Sequence, residues 1–155
     1  MPPSDMPEWT PRQRRSVELI AKSFRGLTGK PLVPSGGDIV EALWIADSAI
    51  VAHGTEADPV FFFGNRTALR LFEMTFDAFT CLPSRLSAEP MLREERQRLL
   101  ERVTRSGIID DYAGVRISAS GRRFRILNAS VWNLTDEDGR PAGQAAAFSD
   151  WVELS

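Results

Sequence analysis

Three β-prone runs joined by two short turns, each ending in glycine, constrain this chain more than any other feature. The runs cover approximately Ile108 to Ser118, Arg123 to Leu134 and Gly143 to Trp151; the turns are Ser118-Ala119-Ser120-Gly121 and Asp136-Glu137-Asp138-Gly139. A parallel connection needs a crossover of about a dozen residues or more, so strands this closely linked must return antiparallel. The C-terminal third is therefore expected to be a meander, which excludes an all-helical bundle and a doubly wound parallel sheet.

Upstream, helix caps punctuate the sequence. Thr10-Pro11-Arg12-Gln13 combines a capping Thr, a Pro suited to the first helical position and a Gln three residues after the Thr, which together form a reciprocal capping box. Val17, Ile20, Ala21 and Phe24 follow at helical spacing and predict a helix over about 11 to 25, with Gly26 and Gly29 as the stop. Residues 28 to 37 are a Gly- and Pro-rich connector. Asp38 with Glu41 repeats the capping pattern ahead of Ile39, Val40, Leu43 and Trp44, a short helix ending near Asp47. Ile50 to His53 and Val60 to Phe63 then flank the turn-rich stretch Gly54 to Pro59, as in a hairpin.

Asn65 is placed to cap a helix carrying Ala68, Leu69 and Phe72, and another helical turn starts at Thr75. A longer helix is expected from about Pro90 to Arg105, stopped by Gly107, with Leu92, Leu99, Leu100 and Val103 on its inner face. The whole reads as an α+β domain over residues 38–155, a five-stranded antiparallel sheet with helices on one face. Residues 1–37 supply an N-terminal helical lead-in and linker.

Composition narrows the function classes. Nineteen Lys and Arg against 21 Asp and Glu leave a net charge of −2 in 155 residues, so no overall positive field nominates nucleic acid or an anionic membrane as partner. The basic run Arg12, Arg14 and Arg15 has no helix-turn-helix or zinc-finger context and reads as a solvated helix face. The single cysteine, Cys81, and the single histidine, His53, cannot assemble a disulfide or a zinc site. With no apolar run of membrane-spanning length, the expectation is a cytoplasmic protein with no metal.

The element order also matches a known family. The passage Phe62-Phe63-Gly64-Asn65-Arg66-Thr67-Ala68-Leu69-Arg70-Leu71-Phe72 resembles the PAS passage in which a strand runs into an Asn-capped helix. His53-Gly54-Thr55-Glu56-Ala57-Asp58-Pro59, Leu82-Pro83-Ser84-Arg85-Leu86-Ser87-Ala88-Glu89-Pro90, Gly114-Val115-Arg116-Ile117-Ser118, Gly121-Arg122-Arg123-Phe124-Arg125-Ile126 and Val131-Trp132-Asn133-Leu134 resemble the MEKHLA family. The resemblance covers roughly residues 38 to 155. It implies a PAS-like fold, found alone in bacterial proteins and at the C-terminus of plant homeodomain-leucine-zipper regulators, and it names no ligand. Light-sensing flavin domains of this superfamily place their cysteine in an Asn-Cys-Arg-Phe-Leu-Gln motif, whereas Cys81 lies in Thr80-Cys81-Leu82-Pro83-Ser84-Arg85. The helix expected from Pro90 to Arg105 has no histidine for haem. The expected cofactor is therefore none.

The residues that can line a site are few. His53, with Glu56 or Glu89 to orient it, reads first as a structural histidine, next as a ligand contact, and least as a general acid or base. Arg85, Arg116, Arg123 and Arg125 are placed for ion pairs with Glu89, Asp110 and Asp111. Arg116 lies on the strand face opposite Val115 and Ile117, so it enters a pocket if those two face away from the helices. In the next strand Phe124, Ile126, Asn128, Ser130 and Trp132 alternate onto one face, and Gln144, Ala146 and Phe148 share one in the last strand. These patterns predict one pocket lined by His53, Arg116, Asn128, Ser130, Trp132 and Gln144. The corresponding function is a PAS-like sensory or regulatory module that binds a small molecule or a partner protein and forms a homodimer. The rival readings are a small enzyme using His53 with a carboxylate and a purely structural dimerisation module.

Overall fold

A computed structural model describes residues 3–34, 36–89 and 93–154. Its helices are α1 (Pro11–Thr28), α2 (Ile39–Ile45), α3 (Arg66–Phe72), α4 (Phe76–Phe79) and α5 (Arg93–Ser106), with a 3-10 turn at Ser84–Ser87. Its strands are β1 (Ala49–His53), β2 (Phe61–Gly64), β3 (Ile108–Ile117), β4 (Arg123–Thr135), β5 (Pro141–Phe148) and β6 (Asp150–Leu154). The antiparallel sheet runs β2-β1-β5-β4-β3, and β6 pairs with the first half of β4.

The caps expected from sequence form. Thr10 Oγ1 accepts from the Gln13 N–H at 3.1 Å while Gln13 Oε1 accepts from the Thr10 N–H at 2.9 Å, closing the box that starts α1. Asp38 caps α2 by accepting from the Val40 N–H, and its carboxylate also pairs with Arg14 of α1. That guanidinium bond holds the Asp38 carboxyl below the ordinary range, against the opposing effect of desolvation. Asn65 is fully buried and uses all of its bonding capacity. Its Oδ1 accepts from the Ile50 and Ala68 N–H groups, and its Nδ2 donates to the Leu43 and Ser48 carbonyls. One amide thereby joins α2, β1 and α3.

The sheet is covered on both faces: the helices after Asn65 hold one, as expected, and the N-terminal lead-in α1 holds the other. Trp132, fully buried, donates from Nε1 to the Ile20 carbonyl of α1 at 3.1 Å and meets Phe24 edge-on at 5.0 Å. Ser23 Oγ accepts from the Thr135 N–H. Thus α1 lies on the side of β4 from which Trp132 and Leu134 project, with Val17, Ile20 and Ala21 buried there. The helices after Asn65 hold the other side: Phe72 of α3 packs on Phe124 at 5.4 Å, and Phe79 of α4 stacks on Phe61 at 4.2 Å.

Asn128 explains how β4 serves two layers. Its φ of 52° puts it in the left-handed region, uncommon for any residue but glycine and least so for Asn. The pairings Tyr112↔Ala129 and Gly114↔Ile126 show β4 spending one residue more than β3 at this point, a bulge that leaves Asn128 exposed. Alternation resumes out of phase. Phe124 and Ile126 point toward α3–α5 before the bulge and Val131 does so after it, while Trp132 points to α1.

The third strand of the expected meander divides for the same reason. Ser130↔Ala147 and Leu127↔Asp150 belong to one register, so Ser149, between β5 and β6, lies opposite Asn128. Phe148 and Trp151, three residues apart, then meet on one side at 6.1 Å. The sheet therefore has six strands where five were expected.

Gly107 ends α5 with φ +79° and its N–H bonded to the Val103 carbonyl. Leu100, expected on the inner face of α5, is 51% exposed, while Leu99 and Val103 turn inward. The predicted start at Pro90, and Leu92, lie outside the described residues. Gly143, at φ +134°, passes so close to β1 that a Cβ there would lie 2.1 Å from the His53 carbonyl oxygen.

Candidate functional site

A cavity of about 120 Å³ lies between the sheet and the α3–α5 layer. Val51, Phe61, Phe72, Leu99, Ile126, Val131, Ala146 and Phe148 supply its apolar walls, and Ser84, Ser87, Tyr112, Arg116, His53 and Gln144 its polar groups. The strand register assembles this lining. Val51 opposes Ala146, which opposes Val131, and His53 opposes Gln144 in the neighbouring strand.

Three of the six residues expected at the site line the cavity: His53, Arg116 and Gln144. The other three require correction. Asn128 is the exposed residue of the bulge, and Ser130 and Trp132, past the bulge, share the α1 side. Uninterrupted alternation would have kept all three with Ile126, and one left-handed residue removes them. Ser84, Ser87 and Tyr112 escaped the sequence reading. Tyr112 had a signal, because it precedes Arg116 by four residues on the same strand face; the two serines, in an irregular segment, had none.

The polar groups form two separate poles. His53 aligns across the sheet with Asn133 of β4, and Arg116 with Phe124, nine residues away along that strand. At the first pole, His53 Nδ1 lies 3.0 Å from the Gly54 carbonyl. A carbonyl only accepts, so Nδ1 carries the hydrogen in this bond, and an unprotonated Nε2 is the ring's acceptor. Gln144 Nε2 donates to Asn133 Oδ1 at 3.3 Å, leaving Gln144 Oε1 as a second acceptor. The carboxylates expected to orient His53 are engaged elsewhere: Glu56 accepts from the Val60 N–H and Glu89 pairs with Arg123 at 2.5 Å.

At the second pole, Val115 and Ile117 face away from the helices and Arg116 enters the cavity. Its Nη1 lies 3.4 Å from Ser87 Oγ and its Nη2 3.4 Å from Tyr112 Oη, with the guanidinium carbon 5.8 Å from the Tyr112 ring centroid. Of the expected ion pairs, only Arg123 with Glu89 forms among the described residues. Arg85 pairs instead with Asp58 and Asp111 with Arg102, and no described carboxylate lies within 4.0 Å of Arg116 or Arg125.

Beside this pole the β3–β4 turn is fastened to α3. Glu73, in a left-handed conformation at the end of α3, accepts from Ser118 Oγ at 2.6 Å and from Ser120 Oγ. These hydroxyl bonds hold its carboxyl below the ordinary range. Arg122 adds a bond to the Leu71 carbonyl at 2.9 Å.

The MEKHLA domain family model matches residues 14–153. The chain belongs to the MEKHLA family. MEKHLA relatives include the homeobox-leucine zipper protein HOX29 of Oryza sativa subsp. indica, 27% identical over 152 residues, and ATHB-14 of Arabidopsis thaliana, 27% identical over 149 residues. The matches cover 94% and 92% of this chain and 18% of each relative, so the chain spans less than a fifth of the length of these curated relatives.

Solved structures place this MEKHLA domain in the PAS-like fold. A PAS domain from Colwellia psychrerythraea superposes with a TM-score of 0.60 at 13% identity, covering 75% of this chain and 93% of that one. The light-state dimer of the fungal blue-light photoreceptor Vivid gives 0.59 at 12% identity, covering 97% of each chain.

A flavin does not fit the MEKHLA cavity described here. Cys81 is exposed on the turn after α4 and takes no part in the lining. A cavity of about 150 Å³ accommodates benzene, and this smaller one has no room for three fused rings. Among the described residues no helix is long and apolar enough to cross a membrane, and no group of His, Cys, Asp and Glu side chains is arranged to hold a metal ion.

Proposed function

We propose that this MEKHLA domain is a sensory or regulatory module that takes a small molecule into the cavity between its sheet and α3–α5. The observation that supports this reading is the cavity itself, with apolar walls and a few polar groups confined to its two ends, the composition of a small-ligand site. Its volume selects a compact molecule. Occupancy would be felt directly by Phe72 and Leu99, which carry α3 and α5, and by Phe148 at the junction of β5 and β6. The output passes to a second copy of the chain or to a regulatory partner protein.

Native mass spectrometry of freshly purified protein tests this proposal, because it reports retained small molecules and subunit count together. A discrete mass increment that is released on denaturation and absent from an Ala146→Leu variant supports the reading. A bare chain whose thermal transition no member of a metabolite library raises would sink it.

A further inference from the structure

We infer that the cavity selects a short aliphatic monocarboxylate, with Arg116 binding the carboxylate and the Phe72–Leu99–Ile126 wall enclosing the hydrocarbon body. The inference rests on the ligand-binding reading above and adds the chemical class.

Arg116 carries it. Among the described residues it is the only lysine or arginine in the lining, and the lining contains no Asp or Glu. A guanidinium presents up to five N–H donors in a planar fork that matches a carboxylate. Here its recorded partners are two neutral hydroxyl oxygens, both at 3.4 Å, well beyond the usual spacing of about 2.9 Å. Neither neutralises the charge. Arginines elsewhere in the fold illustrate the alternative, since Arg85, Arg102 and Arg123 each meet a carboxylate at 2.5 to 3.1 Å. Arg116 is half-buried, and a bound anion would supply the charge-assisted partner that its neighbours do not.

The surroundings specify the anion. Ser87 is 1% exposed and is fixed by donating from Oγ to the Ser84 carbonyl at 2.7 Å, and Tyr112 is 9% exposed. Both hydroxyl oxygens already face the guanidinium, so the fork is held from two sides. A single Arg with no second Lys or Arg beside it in the lining, and with His53 at the opposite pole, matches one negative charge, which favours a carboxylate over a doubly charged phosphate. The apolar walls reward a hydrocarbon body, and roughly 120 Å³, below the roughly 150 Å³ that takes benzene, limits that body to about four or five carbons.

The test compares isovalerate with its neutral isostere isovaleramide by isothermal titration calorimetry on the full chain, in wild type and in Arg116→Gln and Arg116→Lys variants. Isovalerate is expected to bind at least about tenfold more tightly than the amide, the scale of a charge-assisted bidentate pair. Arg116→Gln should erase that preference and Arg116→Lys should keep part of it, with circular dichroism confirming that each variant is folded. Equal affinity of wild type for acid and amide overturns the carboxylate assignment, as does an acid preference that survives Arg116→Gln. Failure of both probes to bind overturns it as well. A neutral compound retained through purification and lost in Ala146→Leu would in those cases leave the ligand-binding reading standing. Should Arg116→Gln unfold, the wild-type comparison decides alone, with methyl isovalerate added as a second neutral probe expected to bind no better than the amide.

Discussion

The two faces of the sheet are built to different standards. On the α1 side the polar groups at the contact with β4 are answered: the Trp132 N–H reaches the Ile20 carbonyl, Ser23 receives the Thr135 N–H, and Phe24 closes edge-on over the indole. On the α3–α5 side a cavity remains and an arginine lines it without a carboxylate. The contrast teaches where this fold is closely packed and where it keeps a cavity. Close packing maximises dispersion and burial, whereas a ligand site must leave both contacts and charge unsatisfied until it is filled.

The largest effect that could break this comparison comes from Trp132→Ala. Removing a fully buried indole from the α1 side is expected to cost about 3–5 kcal/mol, read as a drop in the urea midpoint. A loss below about 1 kcal/mol would show that the α1 face is not the stabilising one. Asn128→Val should be the next largest. Its left-handed backbone resists a β-branched side chain by roughly 1–2 kcal/mol, and Asn128→Gly should be nearly neutral. If valine were tolerated as well as glycine, the bulge would not be what separates the two faces.

Acid provides a smaller and more selective probe. Asp38, tied to Arg14 on the α1 side, and Glu73, tied to Ser118 and Ser120 on the other, both have depressed carboxyl pKa values in the folded state. Unfolding releases each to its ordinary value, so the unfolded chain binds more protons in the acid window. Their stabilisation is therefore complete above the ordinary carboxylate range and is lost as pH falls from that range through the depressed folded values. Asp38→Asn and Glu73→Gln should each flatten the fall of Tm with acidification, and an unchanged slope in both would show that neither tie operates in solution. The smallest expected stability change belongs to the cavity: His53→Ala should change the unfolding free energy from urea titration by no more than about 0.5 kcal/mol, as for residues outside the packed core. A shift comparable to that of Trp132→Ala would make His53 scaffold and erase the distinction between the faces.

Local chemistry was legible in the sequence wherever it resided in a few adjacent residues. The caps at Thr10, Asp38, Asn65 and Thr75 formed because each depends on a side chain reaching a backbone N–H two or three residues away, and the two C-terminal turns closed through the Gly121 and Gly139 N–H groups bonding to the Ser118 and Asp136 carbonyls. His53, Arg116 and Gln144 reached the cavity because strand alternation holds between neighbours. The remainder depended on one backbone torsion. An Asn in the middle of a strand pattern carries no mark of being left-handed, so Asn128, Ser130 and Trp132 were assigned by an alternation that does not continue through them. The position of α1 was hidden for a different reason: an apolar helical stripe states that a face is buried but not against which side of a sheet.

Gly143 limits what this scaffold can become under selection. Any side chain there would collide with the backbone of β1 at His53, and backbone in the middle of a sheet has nowhere to retreat. A saturation library across β5 would therefore return a single permitted amino acid at 143, while the cavity-lining positions one and three residues later, Gln144 and Ala146, have room to vary. The cavity lining can drift, but only along a strand whose approach to its neighbour is fixed by a missing atom.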